Sequence, residues 1–238
     1  MLNKLSLSDY KEINISGTLN LVSQASKLGI KRFIFLSSIK VNGEKTFPKK
    51  PFTADDLPMP STPYGISKYE AEKQLMKIAN KSDIEVVIIR PVLVYGPGVK
   101  ANFLSLMKCI SWGLPLPFKN AENIRSLVSI QNLVDLIITC LIHPSAANQV
   151  FLVRDRETIT ISSLVESISR DFGKKPFFLP FSSNFLKKVL SFLGFTDLSE
   201  KLYGFLEVDI LKTRKVLGWE PKFSFDEALK ETTKEFKN

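Results

Sequence analysis

One short stretch decides the fold class of this chain: Lys31-Arg32-Phe33-Ile34-Phe35-Leu36-Ser37-Ser38. Its unbroken apolar run is typical of a strand that is buried on both faces of a parallel sheet. A second run of this type is rich in β-branched residues and ends at a proline: Glu85-Val86-Val87-Ile88-Ile89-Arg90-Pro91. We therefore expect two buried parallel strands in the first half of the chain.

Helical patterns alternate with these two strands. Apolar residues at helical spacing precede the first strand, and the pattern ends at Gly29, a residue type common at helix C-termini. A turn-rich loop between Asn42 and Ser61 leads to a second helix, which we predict from Tyr64 to about Asn80 with Thr62-Pro63 as its entry. This alternation predicts βαβ units with right-handed crossovers and hence a layered α/β domain.

The pattern changes after Pro91. The predicted elements are a turn at Tyr95–Gly98, a helix at Ala101–Trp112, short strands at Ser126–Ile130 and Phe151–Val153, and an apolar helix at Gln131–His143. We predict that the remainder is mostly helical, with a late turn at Trp219-Glu220-Pro221.

Charge and composition argue against a nucleic-acid-binding protein. The chain has 238 residues and a net charge of +9, from 33 basic and 24 acidic residues, but the basic residues never form a run of five. With 44% hydrophobic residues, the sequence is typical of an ordinary globular protein. A basic surface favours an anionic substrate such as a nucleotide diphosphate.

The cysteines and the single histidine restrict the chemistry further. Cys109 and Cys140 lie in apolar segments without a CxxC motif, so we expect buried free thiols, as in a reducing cytoplasm. With His143 as the only histidine, a multi-His metal site is excluded. His143 precedes Pro144, and we predict that it ends a helix rather than acting as a base.

No membrane-targeting segment is expected. The first ten residues lack the apolar region of a signal peptide, and the longest apolar runs are far short of the ~20 residues of a spanning helix. We therefore expect no membrane span and a cytoplasmic location. The Phe-rich stretch from Phe177 to Phe195 has two interpretations, contact with a membrane surface or a packed helix, and we favour the packed helix.

The candidate chemistry centres on Tyr64-Gly65-Ile66-Ser67-Lys68. Tyr and Lys four residues apart lie on the same face of a helix, and a nearby ammonium favours the phenolate. We therefore expect a lowered pKa for Tyr64, which makes it a usable acid and base near neutral pH. The first strand ends in Ser37-Ser38, where a parallel sheet presents its ligand crevice, so a hydroxyl and this phenol can converge.

These motifs in this order resemble the extended short-chain dehydrogenase/reductase family, and within it the NAD-dependent nucleotide-sugar epimerases and dehydratases. The resemblance extends to Asn14-Ile15-Ser16-Gly17-Thr18 upstream and to Tyr95-Gly96-Pro97-Gly98, Asn102-Phe103, Asn123-Ile124-Arg125-Ser126 and Leu211–Pro221 downstream. It implies an incomplete Rossmann-type parallel sheet flanked by helices, formed by residues 1–98 with 125–146 returning to it. Residues 99–124 and 147–238 would form a smaller, mostly helical substrate-binding lobe.

The resemblance also implies roles for individual residues. Tyr64 would be the acid/base, Lys68 would bind the nicotinamide ribose, and Ser38 would hydrogen-bond the same sugar oxygen as Tyr64. The remaining implied residues are Asn14, Ser37 and Pro91 for the cofactor, and Asn102 and Arg125 for the nucleotide diphosphate of a UDP-sugar. Plain structural interpretations stay open: a surface polar residue for Asn14, a solvated charge for Arg125 and a helix N-cap for Asn102.

One family feature is missing from the sequence. Family members begin with a strand and a Gly-rich loop that holds the cofactor pyrophosphate, but no GxxGxxG precedes the first helix here. NAD or NADP is the expected cofactor, and the remaining contacts reach mainly its nicotinamide half. Three explanations are open: a fragment, which we favour; a complementing N-terminal chain; or a catalytically silent member. A homodimer is also open.

Two reactions use the same residues, a 4-epimerase and a 4-keto-sugar reductase. The sequence Ser37-Ser38-Ile39-Lys40-Val41-Asn42-Gly43 departs from the motif of the 4-epimerases. It resembles that of the branch acting on UDP-4-keto-6-deoxy-N-acetylhexosamine in surface polysaccharide synthesis. A dehydratase is disfavoured, because Ile39-Lys40 stands where that group has Asp-Glu. The alternative from another class is a silent UDP-sugar-binding or interaction module.

Overall fold

The computed structural model describes residues 6–119, 121–181, 185, 188, 192 and 204–237. The strands, in chain order, are β1 (Arg32–Leu36), β2 (Glu85–Pro91), β3 (Leu93–Tyr95), β4 (Ile124–Arg125), β5 (Leu127–Ser129), β6 (Val150–Val153) and β7 (Ile159–Thr160). The α-helices are α1 (Leu7–Lys11), α2 (Thr18–Lys27), α3 (Pro63–Ala79), α4 (Ala101–Ser111), α5 (Ile130–Ile142), α6 (Ile161–Asp171), α7 (Leu211–Leu217) and α8 (Phe225–Lys237). The predicted α/β fold, a parallel sheet flanked by helices, is confirmed.

Among the described residues, β1, β2 and β6 form a parallel sheet in that order. Arg32 to Leu36 pair with Glu85 to Ile89, and Ile88 to Pro91 pair with Val150 to Val153. The predicted strand near Phe151–Val153 therefore exists, but it lies in this sheet and not in the lobe, where the boundary at residue 147 had placed it. Local sequence shows that a strand forms and cannot show which strand it pairs with.

The alternation of side chains along β2 produces two hydrophobic layers. Val86 and Ile88 pack with Leu75 of α3 and Val22 of α2 on one face of the sheet. On the other face, Val87 and Ile89 pack with residues of α5 and the C-terminal segment, including Leu136 and Trp219. Because both faces are covered, the side chains of residues 86–89 are fully buried, as the apolar run predicted.

A third hydrophobic cluster joins the remaining helices. Phe103 and Met107 of α4 pack with Ile168 of α6 and Leu229 of α8. Two small ladders lie beside it: β3 pairs with β5 in parallel, and β4 pairs with β7 in antiparallel orientation. The mostly helical character predicted for this part of the chain agrees with these helices; the division into two domains remains a prediction.

The helix before β1 contains an unpredicted feature. A π-helical stretch, Glu12–Gly17, separates α1 from α2, and Ser6 caps α1 through a capping box with Asp9. Regular 3.6-residue periodicity gives no sign of such a stretch, which is frequent at functional sites. It carries Asn14.

Several smaller predictions concern single residues and segments. His143 is the C-cap of α5, as predicted. Cys109 and Cys140 are both free thiols, but only Cys140 is buried, so the prediction of burial is wrong for Cys109, which is partly exposed. No helix in the described part of the chain has the length and apolar character needed to cross a bilayer. Most of the stretch Phe177–Phe195 lies outside the described residues, so its predicted packing is not tested.

Candidate active site

The N-terminus of α3 places Tyr64 beside the end of β1. Pro63 opens the helix, and the Thr62 side chain caps it by accepting the Gly65 N–H at 3.2 Å. Gly65 allows a close approach, because a Cβ at this position would stand 2.7 Å from the backbone oxygen of Lys40. The first turn of α3 therefore packs directly on the short 3₁₀ turn that follows Ser38.

Ser38 and Tyr64 converge as predicted. The Ser38 side chain lies near enough to the Tyr64 phenol to lower its pKa, and the Tyr10 ring lies edge-on to the Tyr64 ring at 5.6 Å between centroids. Burial is nevertheless the dominant influence and raises the pKa of Tyr64 above its ordinary value. The expected lowering of this pKa is therefore wrong, because the sequence pattern gave no measure of how far the phenol is withdrawn from water.

Lys68 lies one turn along α3 from Tyr64. Its ammonium donates to the Leu36 carbonyl at 2.9 Å, and Nζ lies 4.5 Å from the Phe35 ring centroid and 6.0 Å from the Tyr64 ring centroid. Burial lowers the pKa of Lys68, and the charge of Glu72 opposes this effect. The Lys68 ammonium thus joins the helix to the carboxyl end of β1.

Asn14 is also part of this cluster. Its Nδ2 donates to Ser67 Oγ at 3.0 Å, and the Ser67 hydroxyl donates to the Tyr64 carbonyl at 2.8 Å. The π-helical stretch brings Asn14 to the first turn of α3. The plain surface interpretation is wrong, since the Asn14 side chain is half-buried and bonded to the helix that carries Tyr64.

Ser37 and Pro91 end adjacent strands. The Ser37 N–H donates to the Ile89 carbonyl at 2.8 Å, whereas its buried Oγ has no partner among the described residues. A buried hydroxyl left without a partner is unfavourable and is ready to bond a polar ligand. Pro91 is half-buried at the end of β2 and pairs with Val153.

Asn102 and Arg125 lie on other elements. Asn102 is exposed and stands inside α4, whose N-cap is Lys100, so the N-cap interpretation of Asn102 is wrong. Arg125 is half-buried in β4 opposite Ile159, and burial lowers its pKa, in contrast to a solvated charge. Neither residue is among the partners of Tyr64 and Lys68 given above.

The sequence analysis missed a buried ion pair behind the cluster. Arg90 binds Glu72 through Nε–Oε1 at 3.0 Å and Nη2–Oε2 at 2.6 Å, and its Nη1 donates to Asn42 Oδ1 at 2.9 Å. A usable signal was present, because an arginine inside an apolar strand needs a buried anionic partner.

The side chains of Ser38 and Tyr64 are arranged so that they can exchange a proton with one oxygen of a bound ligand. A serine hydroxyl and a tyrosine phenol meet at the carboxyl end of a parallel strand, with an ammonium one helical turn away. An α/β sheet with this Ser–Tyr–Lys constellation defines the class of short-chain dehydrogenases and reductases. The chain belongs to the NAD dependent epimerase/dehydratase family, whose model matches residues 3–153.

Both a relative of known sequence and a solved structure are similar to this chain. It is 50% identical over 231 residues to a UDP-glucose 4-epimerase of Vibrio cholerae, a match that covers 97% of this chain and 70% of that protein. Among solved structures, a UDP-glucose 4-epimerase of Thermotoga maritima with UDP-glucose matches with a TM-score of 0.74 and 26% identity, covering 97% of this chain and 71% of that one.

A UDP-glucuronic acid 4-epimerase of Bacillus cereus in complex with NAD matches with a TM-score of 0.78 and covers 97% of this chain and 69% of that chain. At 22% identity it supports the fold alone.

Proposed function

We propose that this chain carries the catalytic residues of an NAD(P)-dependent nucleotide-sugar enzyme that acts at C4 of a UDP-hexose. The convergence of Ser38 and Tyr64 beside Lys68 is the single observation that carries the proposal. The names of the V. cholerae relative and the T. maritima structure support UDP-glucose 4-epimerisation. In this reaction Tyr64 takes the proton from the C4 hydroxyl and later returns it.

Each neighbour of Tyr64 has a part in this proton transfer. The Ser38 hydroxyl hydrogen-bonds the same sugar oxygen and stabilises charge as it develops. The raised pKa of Tyr64 favours the neutral phenol, so a positive charge near the ring is needed to make the phenol a good base. Lys68 supplies that charge from the next turn of the helix.

The residues around Tyr64 fit the nicotinamide half of NAD or NADP. The buried, unpartnered Ser37 Oγ offers a hydrogen bond at the strand end, and the Lys68 ammonium can bond ribose hydroxyls. Pro91 would line the pocket and Asn14 would support it. The cofactor, when bound, supplies hydride acceptance and return at C4.

Contacts to the two diphosphates are assigned separately. We propose that Asn102 and Arg125 bind the UDP diphosphate, for which the planar guanidinium of Arg125 is suited. The cofactor diphosphate needs a Gly-rich turn that these 238 residues lack. Because the chain covers 70% of the V. cholerae relative, we propose that a region outside this sequence, upstream or in a complementing chain, supplies that turn.

The second candidate reaction is reduction of a UDP-4-keto-6-deoxy-N-acetylhexosamine for surface polysaccharide. The reductase reaction is favoured by the sequence of Ser37–Gly43, which differs from the usual motif of the 4-epimerases. An epimerase leaves the NAD pool unchanged, whereas a reductase consumes NADH or NADPH in proportion to product. The free thiols of Cys109 and Cys140 support a reducing compartment, the cytoplasm, for either reaction.

Separate calorimetric titrations with NAD, NADPH and UDP-glucose, made on the chain together with the region that supplies the Gly-rich turn, test the proposal. Binding of a nicotinamide nucleotide together with binding of the UDP-sugar supports the enzyme. Binding of UDP-glucose alone supports a silent UDP-sugar-binding module. Binding of neither class of ligand would contradict both.

The variant Tyr64→Phe removes the acid/base and keeps the ring against Tyr10. We expect inversion at C4 of UDP-glucose to fall about 100-fold or more. Tyr69→Phe is the matched control, because Tyr69 lies on the same helix with Lys73 Nζ 4.9 Å from its ring centroid. The complementing region is added where the chain alone shows no turnover. Near-normal activity of Tyr64→Phe would refute the assigned role.

A further inference from the structure

Large apolar side chains are exposed at the C-terminal end of α4 and in the segment that follows α6. Trp112, the C-cap of α4, retains 70% of its exposure, and Leu114 is also exposed. After α6, Phe177 and Phe181 retain 58% and 50% of their exposure. A contiguous exposed surface of this kind marks a site of interaction with another molecule, whereas scattered apolar residues need no explanation.

Backbone contacts bring these two segments together. The Leu116 N–H donates to the Phe177 carbonyl at 2.8 Å, and the Leu179 N–H donates to the Leu116 carbonyl at 2.9 Å. The Lys174 ammonium donates to the carbonyl of Ser111, the last residue of α4. The exposed side chains of the two segments therefore belong to one surface.

One phenylalanine anchors this surface to the protein. Phe178 is half-buried and packs on the third hydrophobic cluster, while the neighbouring Phe177 is exposed. Farther along the chain, the Phe181 ring centroid lies 5.7 Å from that of Phe185, which is exposed as well. The exposed apolar side chains that we call the aromatic patch are Trp112, Leu114, Phe177, Phe181 and Phe185.

Lysines accompany the aromatic patch, and its two segments lack acidic residues. Residues 108–121 and 172–196 contain six lysines and no Asp or Glu, although the whole chain has 24 acidic residues. Lys108, Lys174, Lys175 and Lys188 are exposed. Interfaces with other proteins are depleted of lysine, whereas aromatic rings beside lysines are typical of surfaces that bind anionic lipid headgroups. The charge of the two segments therefore favours a lipid surface over a protein partner.

We propose that the aromatic patch binds the surface of a membrane that contains anionic lipids. The rings enter the headgroup region, and the lysines bind lipid phosphates. The contact is peripheral, since no helix in the described part of the chain has the length and apolar character to cross a bilayer. This binding goes beyond the proposed function and does not depend on it, because Ser38, Tyr64 and Lys68 lie outside the patch.

The two tryptophans of the chain make the contact measurable. Trp112 is exposed, whereas Trp219 is 3% exposed and packs in the core, so vesicle binding changes the emission of Trp112. With vesicles of phosphatidylcholine and phosphatidylglycerol in equal parts, we expect a shift of the emission to shorter wavelength and protection from quenching by acrylamide. Binding to vesicles of phosphatidylcholine alone should be weaker by about tenfold or more.

Charge variants test the part of the lysines. Lys174→Glu/Lys175→Glu should weaken binding to the mixed vesicles by about tenfold or more, measured by cosedimentation. Lys77→Glu/Lys81→Glu is the matched control, because it changes the net charge equally at exposed positions near the end of α3, which packs on the sheet. The control should change the affinity by about twofold or less. Equal losses in the two variants would show that net charge alone governs binding, and would overturn the proposal.

Apolar variants test the part of the rings. Phe177→Ser/Phe181→Ser should weaken binding by about fivefold or more, and circular dichroism checks that the variant is folded. Ile138→Ser/Leu141→Ser is the matched control, because these residues of α5 retain 53% and 52% of their exposure on a helix without lysine. This control should bind as the wild type does. If both variants lose binding equally, any exposed apolar surface adheres to the vesicles and the proposal is wrong.

Two further results would overturn the proposal. A folded chain whose Trp112 emission is unchanged by the mixed vesicles does not bind them. A shift that appears without vesicles, as the protein concentration rises, assigns the aromatic patch to self-association of this chain. None of these measurements uses NAD or a UDP-sugar, so their outcome is separate from that of the proposed function.

Discussion

Two buried carboxylates of this protein are stabilised by different kinds of hydrogen-bond donor. Behind the candidate site, the Glu72 carboxylate is matched by the charge of Arg90. Where β3 and β5 meet the segment after β6, the buried carboxylate of Asp155 has neutral hydrogen-bond donors among the residues that the structure describes. Its Oδ2 accepts the Tyr95 hydroxyl at 2.7 Å, and its Oδ1 accepts Asn132 Nδ2 at 2.7 Å and the Ser129 N–H at 3.0 Å.

Burial shifts the pKa values of the second cluster, around Asp155. Burial raises the pKa of Asp155, although the hydrogen bonds from Asn132, Ser129 and Tyr95 oppose the shift. Burial and the charge of Asp155 also raise the pKa of Tyr95. The Asp155 carboxylate, held by neutral donors, thus remains sensitive to protons. The Arg90 fork holds the Glu72 carboxylate in a fixed geometry by two charge-assisted bonds.

Breaking the charge-matched cluster should have the largest effect. Arg90→Met leaves the Glu72 carboxylate buried without a cation, and we expect the free energy of unfolding to fall by about 3–5 kcal/mol. Urea denaturation followed by circular dichroism measures the change. Arg170→Met is the comparison variant, because Arg170 and its partner Asp226 retain 68% and 75% of their side-chain exposure. An exposed pair contributes little, so equal losses in the two variants would contradict the distinction.

The neutral-donor cluster should show itself in the pH dependence of stability. Because the folded pKa of Asp155 is raised, the folded state binds this proton more tightly than the unfolded state does. Protonated Asp155 therefore contributes fully to the free energy of unfolding below the ordinary aspartate pKa of 3.8. This contribution is lost as the pH rises through the pKa of Asp155 in the folded state. Each unit of difference between the folded and unfolded pKa of Asp155 corresponds to about 1.4 kcal/mol in the free energy of unfolding.

The variant Asp155→Asn tests this pH dependence. Other carboxylates titrate in the same range, so the informative quantity is the difference in unfolding free energy between wild type and variant at each pH. We expect this difference to decline as the pH rises from about 3.8, while a constant offset reports the altered hydrogen bonds. A difference that does not change with pH would show that Asp155 has the same pKa in both states.

The contrast between the clusters also shows how far sequence reasoning reaches. The strands at Arg32–Leu36 and Glu85–Pro91 and the helix of Tyr64 follow from local periodicity, as does the meeting of Ser38 with Tyr64 at a strand end. Glu72 and Arg90 are 18 residues apart and belong to different elements, so no local pattern identifies them as partners. The apolar run around Arg90 shows only that some partner must exist.

Other missed features have the same physical origin. The raised pKa of Tyr64 depends on burial by Tyr10 and its neighbours, which tertiary packing alone determines. The place of Val150–Val153 in the sheet is a matter of strand pairing, and the π-helical stretch at Asn14 interrupts an otherwise ordinary helical pattern. Sequence therefore predicted the helix of Tyr64 and the strand that ends at Ser38 better than the tertiary contacts around them.

A single neutral hydrogen bond should give the smallest effect and so sets the scale for the two clusters. Thr213 of α7 is fully buried, and its hydroxyl donates to the Leu152 carbonyl of β6 at 2.7 Å. Thr213→Val keeps the shape and removes the donor, and we expect the free energy of unfolding in urea denaturation to fall by about 1 kcal/mol.

The comparison variant is Thr232→Val, because the Thr232 hydroxyl donates to the Ala228 carbonyl one turn back in its own helix, at 2.7 Å. That carbonyl keeps its helical partner, so the variant should lose less. A loss at Thr213 as large as that of Arg90→Met would mean that charge is not what distinguishes the cluster behind Tyr64.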